Sequence, residues 1–227
     1  MLKFLKTAAS FVLLGTLISA SHSATVEQTL DWAQLIDAGA QVFDDPYREL
    51  EPEQLERLIT VARLRASAEA GEAIDRGRLS ELTTSLAADG LDVDDLITQR
   101  WMVASKRERA ATAGNPAVDD QEISITGFVI PAPPEPDGTR VAYLVPERGM
   151  CSHMPPPVPN QMIRLRLLSD WTPSSLYEPA RITGRLSISP TKNKVQVVDG
   201  LVDMHATFQM DVKGVTSSNS RRVEHRH

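Results

Sequence analysis

The sequence predicts an α+β protein: a helical N-terminal segment followed by a small antiparallel β-barrel. Three observations carry this. Between residues 52 and 101, apolar residues recur at spacings of three and four, as on one face of a helix. From Gln121 onward the period falls to two, and the runs are short and rich in Ile, Val and Thr. Glycine, proline, aspartate and asparagine separate those runs, as turn residues do.

The first residues stand apart from the fold. Lys3 and Lys6 precede the apolar run "AASFVLLGTLISA", and small residues follow in "SASHSAT". Basic, apolar, then small is the order of a secretory signal, with cleavage expected after Ser23. The apolar run is too short to span a bilayer comfortably, and no cysteine lies near it to take a lipid. Removing residues 1–23 leaves 204 residues and moves the net charge from −6 to −8. That acidic balance argues against a nucleic-acid partner, which wants a basic face. The expected location is the periplasm, with a soluble mature chain and no transmembrane segment.

Residues 24–118 form the expected helical segment and linker. "TLDWAQLID" presents Trp32, Leu35 and Ile36 on one face, and "FDDPYRELEPE" reads as an acidic, solvated loop. Leu55, Leu58, Ile59 and Ala62 then mark one helix face, and Leu79, Leu82 and Leu86 a second, ended by Gly90. Asp92 is placed to cap a third helix that turns Leu96, Ile97 and Trp101 inward. "ATAGNPAVDD" breaks the pattern and reads as a linker.

Residues 119–216 form the expected barrel. Its strands are "EISITGFVI", "RVAYLVP", "QMIRLRLL", "ARITGRLSIS", "NKVQVV" and "VDMHATFQMDV". In the last, Met204, Ala206, Phe208, Met210 and Val212 alternate with polar residues, so one face is buried. Ile163, Leu165 and Leu167 alternate likewise with Arg164 and Arg166, and Ile125 and Val129 are expected to join the core. "ITG" occurs at 125–127 and at 182–184, and glycine within a strand marks a bulge or sharp bend. Two such bends in about six strands suit an OB-like barrel, with a two-sheet β-sandwich as the alternative. Residues 217–227 are polar and expected to be disordered.

The chemistry-bearing stretch is "GMCSHMPPPVPN", Gly149 to Asn160, which contains the single cysteine, Cys151. One cysteine closes no intramolecular disulfide. Cys151 is therefore a free thiol, a metal ligand, an intermolecular link or an inert buried side chain. The prolines push the residues before them toward extended conformations, so the stretch is expected to form a stiff arm. On an extended arm Cys151 and His153 face one way, an arrangement suited to zinc, which takes thiolate and imidazole ligands. A third ligand must come from elsewhere: His205 on the polar face of the last strand, Asp203, Glu147 or a second subunit. The alternatives are a buried Cys151 with His153 as a hydrogen-bonding loop residue, or a Cys–His nucleophile and base oriented by Asn160. The arm itself, through Met154, Pro155, Pro156, Pro157, Pro159, Asn160 and Gln161, is a candidate partner-docking surface, because preordered proline segments bind at low entropic cost. The amides of Asn160 and Gln161 are expected to satisfy carbonyls left open by the prolines.

In that order, "ITGFVIP", "AYLVP", "CSHMPPPVPNQ" and "ITGRL" resemble the bacterial exported proteins of the domain-of-unknown-function 3299 family. "DWAQLID" and "GLDVDDLITQRW" are similar to the family's helical part. Met150 departs from it, since a small residue usually precedes the cysteine. The resemblance implies an exported soluble protein or lipoprotein, frequent company with an inner-membrane ABC permease of the macrolide-exporter type, and a link to zinc supply. It implies no established enzymatic activity. The combined reading favours a non-enzymatic binding protein that binds a transition metal or serves as an accessory to an envelope transporter. A thiol-dependent enzyme and a purely structural envelope module are the alternatives.

Overall fold

The structure is a computed structural model and describes residues 28–151, 154–168, 171–197 and 200–217. The expected signal peptide, His153 and the tail beyond Ser217 lie outside the described residues.

The chain is of mixed α+β type. It opens on a short strand, β1 (Gln28–Leu30), where a helical segment was predicted. β1 runs parallel to β2 (Gln121–Pro131), which recruits these residues into the sheet. A 3-10 turn over Trp32–Leu35 follows. Its cap is reciprocal: the Asp31 carboxylate accepts from the Ala33 N–H, and the Asp31 N–H donates to Gln34 Oε1 at 2.7 Å. The Trp32 indole N–H donates to the Thr126 carbonyl at 2.8 Å, which fastens this turn to the sheet.

After the short helix α1 (Ala38–Gln41) come three longer helices, α2 (Pro52–Glu69), α3 (Arg76–Ala88) and α4 (Val93–Thr112). Asp75 and Asp92 cap α3 and α4 by accepting from N–H groups three residues on, and Gly90 supplies the left-handed turn between them. Leu58, Val61, Leu82, Leu86, Val93 and Leu96 form their shared core. The sequence placed Leu55, Ile59 and Trp101 inward as well, but they are 36%, 41% and 73% exposed. The buried line of α2 runs through Leu58 and Val61, with Leu55 and Ile59 to one side of it. On α4 the line runs through Leu96 and Val103. Trp101, two residues before Val103, sits roughly 200° around the helix from it.

The remaining strands are β3 (Val141–Val145), β4 (Ile163–Leu167), β5 (Glu178–Val197) and β6 (Gly200–Ser217). The six-stranded sheet has the order β1-β2-β3-β4-β6-β5, and β2 also pairs with β5. The ladders are not all antiparallel as predicted, because β4 and β6 run parallel, as do β1 and β2. "ARITGRLSIS" and "NKVQVV", read as two strands, belong to one. β5 continues through Pro190 by a register shift between Ile188 and Thr191, and a bulge is where a strand tolerates a proline. A second shift falls between Thr183 and Gly184, at one of the two predicted glycine bends.

Ile125, Val129, Ile163, Leu165, Leu167, Phe208 and Met210 are buried in one cluster, as the alternation predicts. Met204 is also buried, but in a second cluster with Tyr143, Val145 and Cys151. Two clusters arise because β3 is covered on both faces. Ala142 and Leu144 join the first, and Tyr143 and Val145 the second. The far half of the β5–β6 hairpin lies over that second face, where Asn193 Nδ2 donates to the Tyr143 hydroxyl at 3.1 Å. Arg164, on the face of β4 opposite Ile163 and Leu165 as the alternation predicts, is buried there too, paired with Glu135 and hydrogen-bonded to Gln209.

Candidate functional site

The stretch from Gly149 to Gln161 divides into a tight turn and a proline arm, and the two halves have different chemistry. Gly149 and Cys151 both have positive φ, +95° and +67°. The Met154 N–H closes the turn onto the Gly149 carbonyl at 3.1 Å, and the Tyr177 hydroxyl donates to the Met150 carbonyl. Cys151 therefore sits in a left-handed turn and not on the extended arm. The prolines constrain only the residues directly before them, and Cys151 lies upstream of those.

The Cys151 side chain is 3% exposed and packs with Ile130, Tyr143, Val145, Met162, Tyr177 and Met204. Burial pushes its thiol up to about 11, because an apolar surround disfavours the thiolate. At neutral pH it is a protonated, small apolar side chain. That is the opposite of the exposed, electropositive setting of a reactive cysteine. Asn160, proposed as the orienter of a Cys–His pair, turns its amide nitrogen to the end of α4.

His205 lies between Met204 and Ala206, which both face the Cys151 cluster, so its ring belongs to the other face of β6. There it lines a cavity of about 240 Å³ with Glu108, Thr191 and Thr207. Asp203 and Glu147 are exposed. Among the described residues no three His, Cys, Asp or Glu side chains gather closely enough to hold a metal ion. Of the zinc ligands suggested, His153 lies outside the described residues, and the His205 ring lies on the opposite face of β6 from the Cys151 cluster.

The arm is better defined. Asn160 is buried, and its amide donates to two carbonyls at the end of α4, Ala110 at 2.8 Å and Ala113 at 3.1 Å. Gln161 Nε2 donates to the Trp32 carbonyl at 3.1 Å. The sequence assigned these amides to carbonyls of the proline run. Instead Asn160 serves the last turn of α4, whose carbonyls have no intrahelical partners, and Gln161 serves the Trp32–Leu35 turn. Thr207 adds a third such bond, to the Thr112 carbonyl at 2.7 Å. Asn160 and Gln161 thus clamp the arm at one end. Met154, Pro155, Pro156 and Val158 remain exposed along it, while Pro157 and Pro159 are half-buried.

Beside the arm, α4 carries a face that sequence reasoning missed. An open groove of about 630 Å³ runs between α2 and α4, over Leu55, Ile59, Val103, Ala104 and Ala111. A smaller groove, about 240 Å³, continues from it at Arg107 and Ala111 to Val158 and Asn160 on the arm. One wall of the larger groove is Tyr47, whose hydroxyl bonds the Leu96 carbonyl. Next to it Arg107 grips the buried Asp45 carboxylate with two hydrogen bonds, at 2.7 and 2.8 Å. Those bonds hold the Asp45 carboxyl below its ordinary range. The available signal was the Leu55/Ile59 pair, an i, i+4 apolar step that the sequence reading assigned to the core.

The family model described as "Protein of unknown function (DUF3299)" matches residues 32–217. Among solved structures, the chain is similar to the crystal structure of a DUF3299 family protein from Pseudomonas aeruginosa PAO1. The two are 20% identical, with 84% of this chain and 95% of the other covered and a TM-score of 0.43. No curated protein matches the chain. With β2 to β6, the helical part and the whole proline arm inside the matched region, this chain belongs to the DUF3299 family.

Proposed function

We propose that this is an exported, non-enzymatic docking protein in which an OB-like barrel holds a proline arm ready for an envelope partner. The barrel reading is supported by the ladder β2-β3-β4-β6-β5, which returns to β2, and by the parallel pairing of β4 with β6. The basic, apolar, small N-terminus supports export to the periplasm. Among the described residues, no helix is long and apolar enough to cross a membrane. An inner-membrane ABC permease of the macrolide-exporter type is the partner that the family resemblance favours.

The single observation that carries the proposal is the clamp at Asn160. Two hydrogen bonds from one buried amide fix the arm to the end of α4, while Met154 and Val158 stay 40% and 49% exposed. A fixed, exposed apolar element has already lost the entropy that binding would cost. Its stiffness has no use in thiol catalysis, because Cys151 is buried and protonated.

Val158→Asp places a charge on the exposed side of the arm and leaves the Asn160 clamp intact. It is expected to reduce co-sedimentation of the purified protein with inner-membrane vesicles of its host at least tenfold, with the melting temperature unchanged. Equal recovery of wild type and Val158→Asp would remove the arm from the docking surface.

A further inference from the structure

We infer that the groove between α2 and α4 receives a single amphipathic α-helix with acidic flanks, presented by a partner protein. This extends the docking reading to a second surface and rests on it only for the identity of the partner.

The groove has the form a helix needs. Leu55 and Ile59 lie one turn apart on α2, and Ala104 and Ala111 lie two turns apart on α4. Rows of that spacing receive the ridges of a third helix, and the two alanines let its backbone approach. Val103 is fully buried and forms the floor. Leu55 and Ile59 remain more than a third exposed, so the groove is open along its length. An acyl chain or small apolar ligand is held instead in a site that encloses most of its surface.

Charge fixes the character of the flanks. The two joined grooves are lined by three guanidinium groups, Arg48, Arg100 and Arg107, against one carboxylate, Glu108. Asp45 offsets part of this, since it pairs with both Arg48 and Arg107. In a chain of net charge −6 the surround is still locally cationic, and it complements acidic side chains. Trp101 stands on the ridge of Ala104 and Glu108, three and seven residues before them. Its ring lies 5.2 Å from the Arg100 guanidinium carbon and is mostly exposed. Trp101 does not itself line the groove, but helix geometry sets it just beyond Glu108 on the outer rim, where an exposed tryptophan braced by an arginine has the composition of an interface anchor.

The test uses two fluorescent helix-forming peptides with one shared leucine stripe, flanked by glutamates in one and lysines in the other. Fluorescence anisotropy with the full mature protein is expected to show the glutamate peptide binding at least tenfold more tightly than the lysine peptide. Ile59→Asp is expected to abolish binding, Trp101→Ala to weaken it several-fold, and Arg100→Glu to narrow or invert the preference. Trp101 and Arg100 are exposed, so these two variants keep the test valid should Ile59→Asp unfold the helices. Binding of neither peptide, equal binding of both, or insensitivity to all three variants would overturn the inference. Displacement of the glutamate peptide by oleate, with saturable oleate binding lost in Ile59→Asp, would reassign the groove to lipid. Because Val158 is probed separately with membranes, failure here leaves the proline-arm reading standing, and the reverse also holds.

Discussion

Gly184→Ala is expected to destabilise the protein by about 3 kcal/mol or more, at the upper end of what overpacking a core costs. A Cβ at this position would stand 2.2 Å from the Asp211 carbonyl oxygen and 3.1 Å from Met210 Cγ. The first neighbour is backbone of the paired strand β6, and it can retreat only by separating β5 from β6. Gly184 also sits at the register shift that lets β5 change direction. The control is Gly71→Ala, where φ is +79° but no atom lies within 4 Å of the added carbon. That substitution is expected to cost only the left-handed penalty, about 1 kcal/mol. Urea denaturation of the two variants checks this, and similar losses would mean that the sheet does not close so tightly at Gly184.

The second large effect concerns Cys151. Its thiol is expected to react with iodoacetamide at neutral pH about a hundredfold more slowly than a free cysteine on protonation grounds alone, and more slowly still because the side chain is buried. Unfolding in urea is expected to release full reactivity. The same burial makes stability depend on pH. Below the ordinary thiol value of 9.0 both the folded and unfolded chains keep the proton, and stability is complete. Between 9.0 and about 11 the unfolded chain loses its proton and the folded chain does not, so unfolding becomes progressively more favourable. The stability lost by the time pH passes about 11 corresponds to roughly 2–3 kcal/mol. Cys151→Ala is expected to remove that component of the alkaline slope. Native labelling at the rate of free cysteine would contradict the burial and reopen the thiol-enzyme alternative.

The sheet was legible where the pattern was simple. Residues 204–212 alternate without interruption, and each apolar member is buried. β5 was not read as one strand, because "SPTKN" has the composition of a turn while Pro190 in fact occupies a bulge. The parallel pairing of β4 and β6 leaves no local trace, since strand direction is set by connections and not by composition. In the helices Leu58, Leu82, Leu86 and Leu96 are buried as the periodicity predicts, but Leu55, Ile59 and Trp101 are not. Leu55 and Ile59 have the spacing of a core face, and only the position of α4 decides that they line a groove.

At the proline stretch the stiff arm was legible and the place of Cys151 was not. The stiff arm follows from X-Pro sterics, and it is present from Met154 onward. Cys151 was read as part of that arm because it is nearby in sequence. Its left-handed φ and the cover supplied by Met204 and Tyr177 are tertiary facts. Asn160 shows the same limit: its amide has the expected role of stapling, but its acceptors are about fifty residues away on α4.

The docking function is tested most directly by a photo-activatable residue at Val158, introduced in the native host and illuminated in intact cells. A covalent adduct between this protein and an integral inner-membrane protein is expected. No such adduct is expected when the same residue replaces exposed Glu72, in the turn after α2. Adducts of equal yield from both positions, or none from Val158, would contradict the docking function.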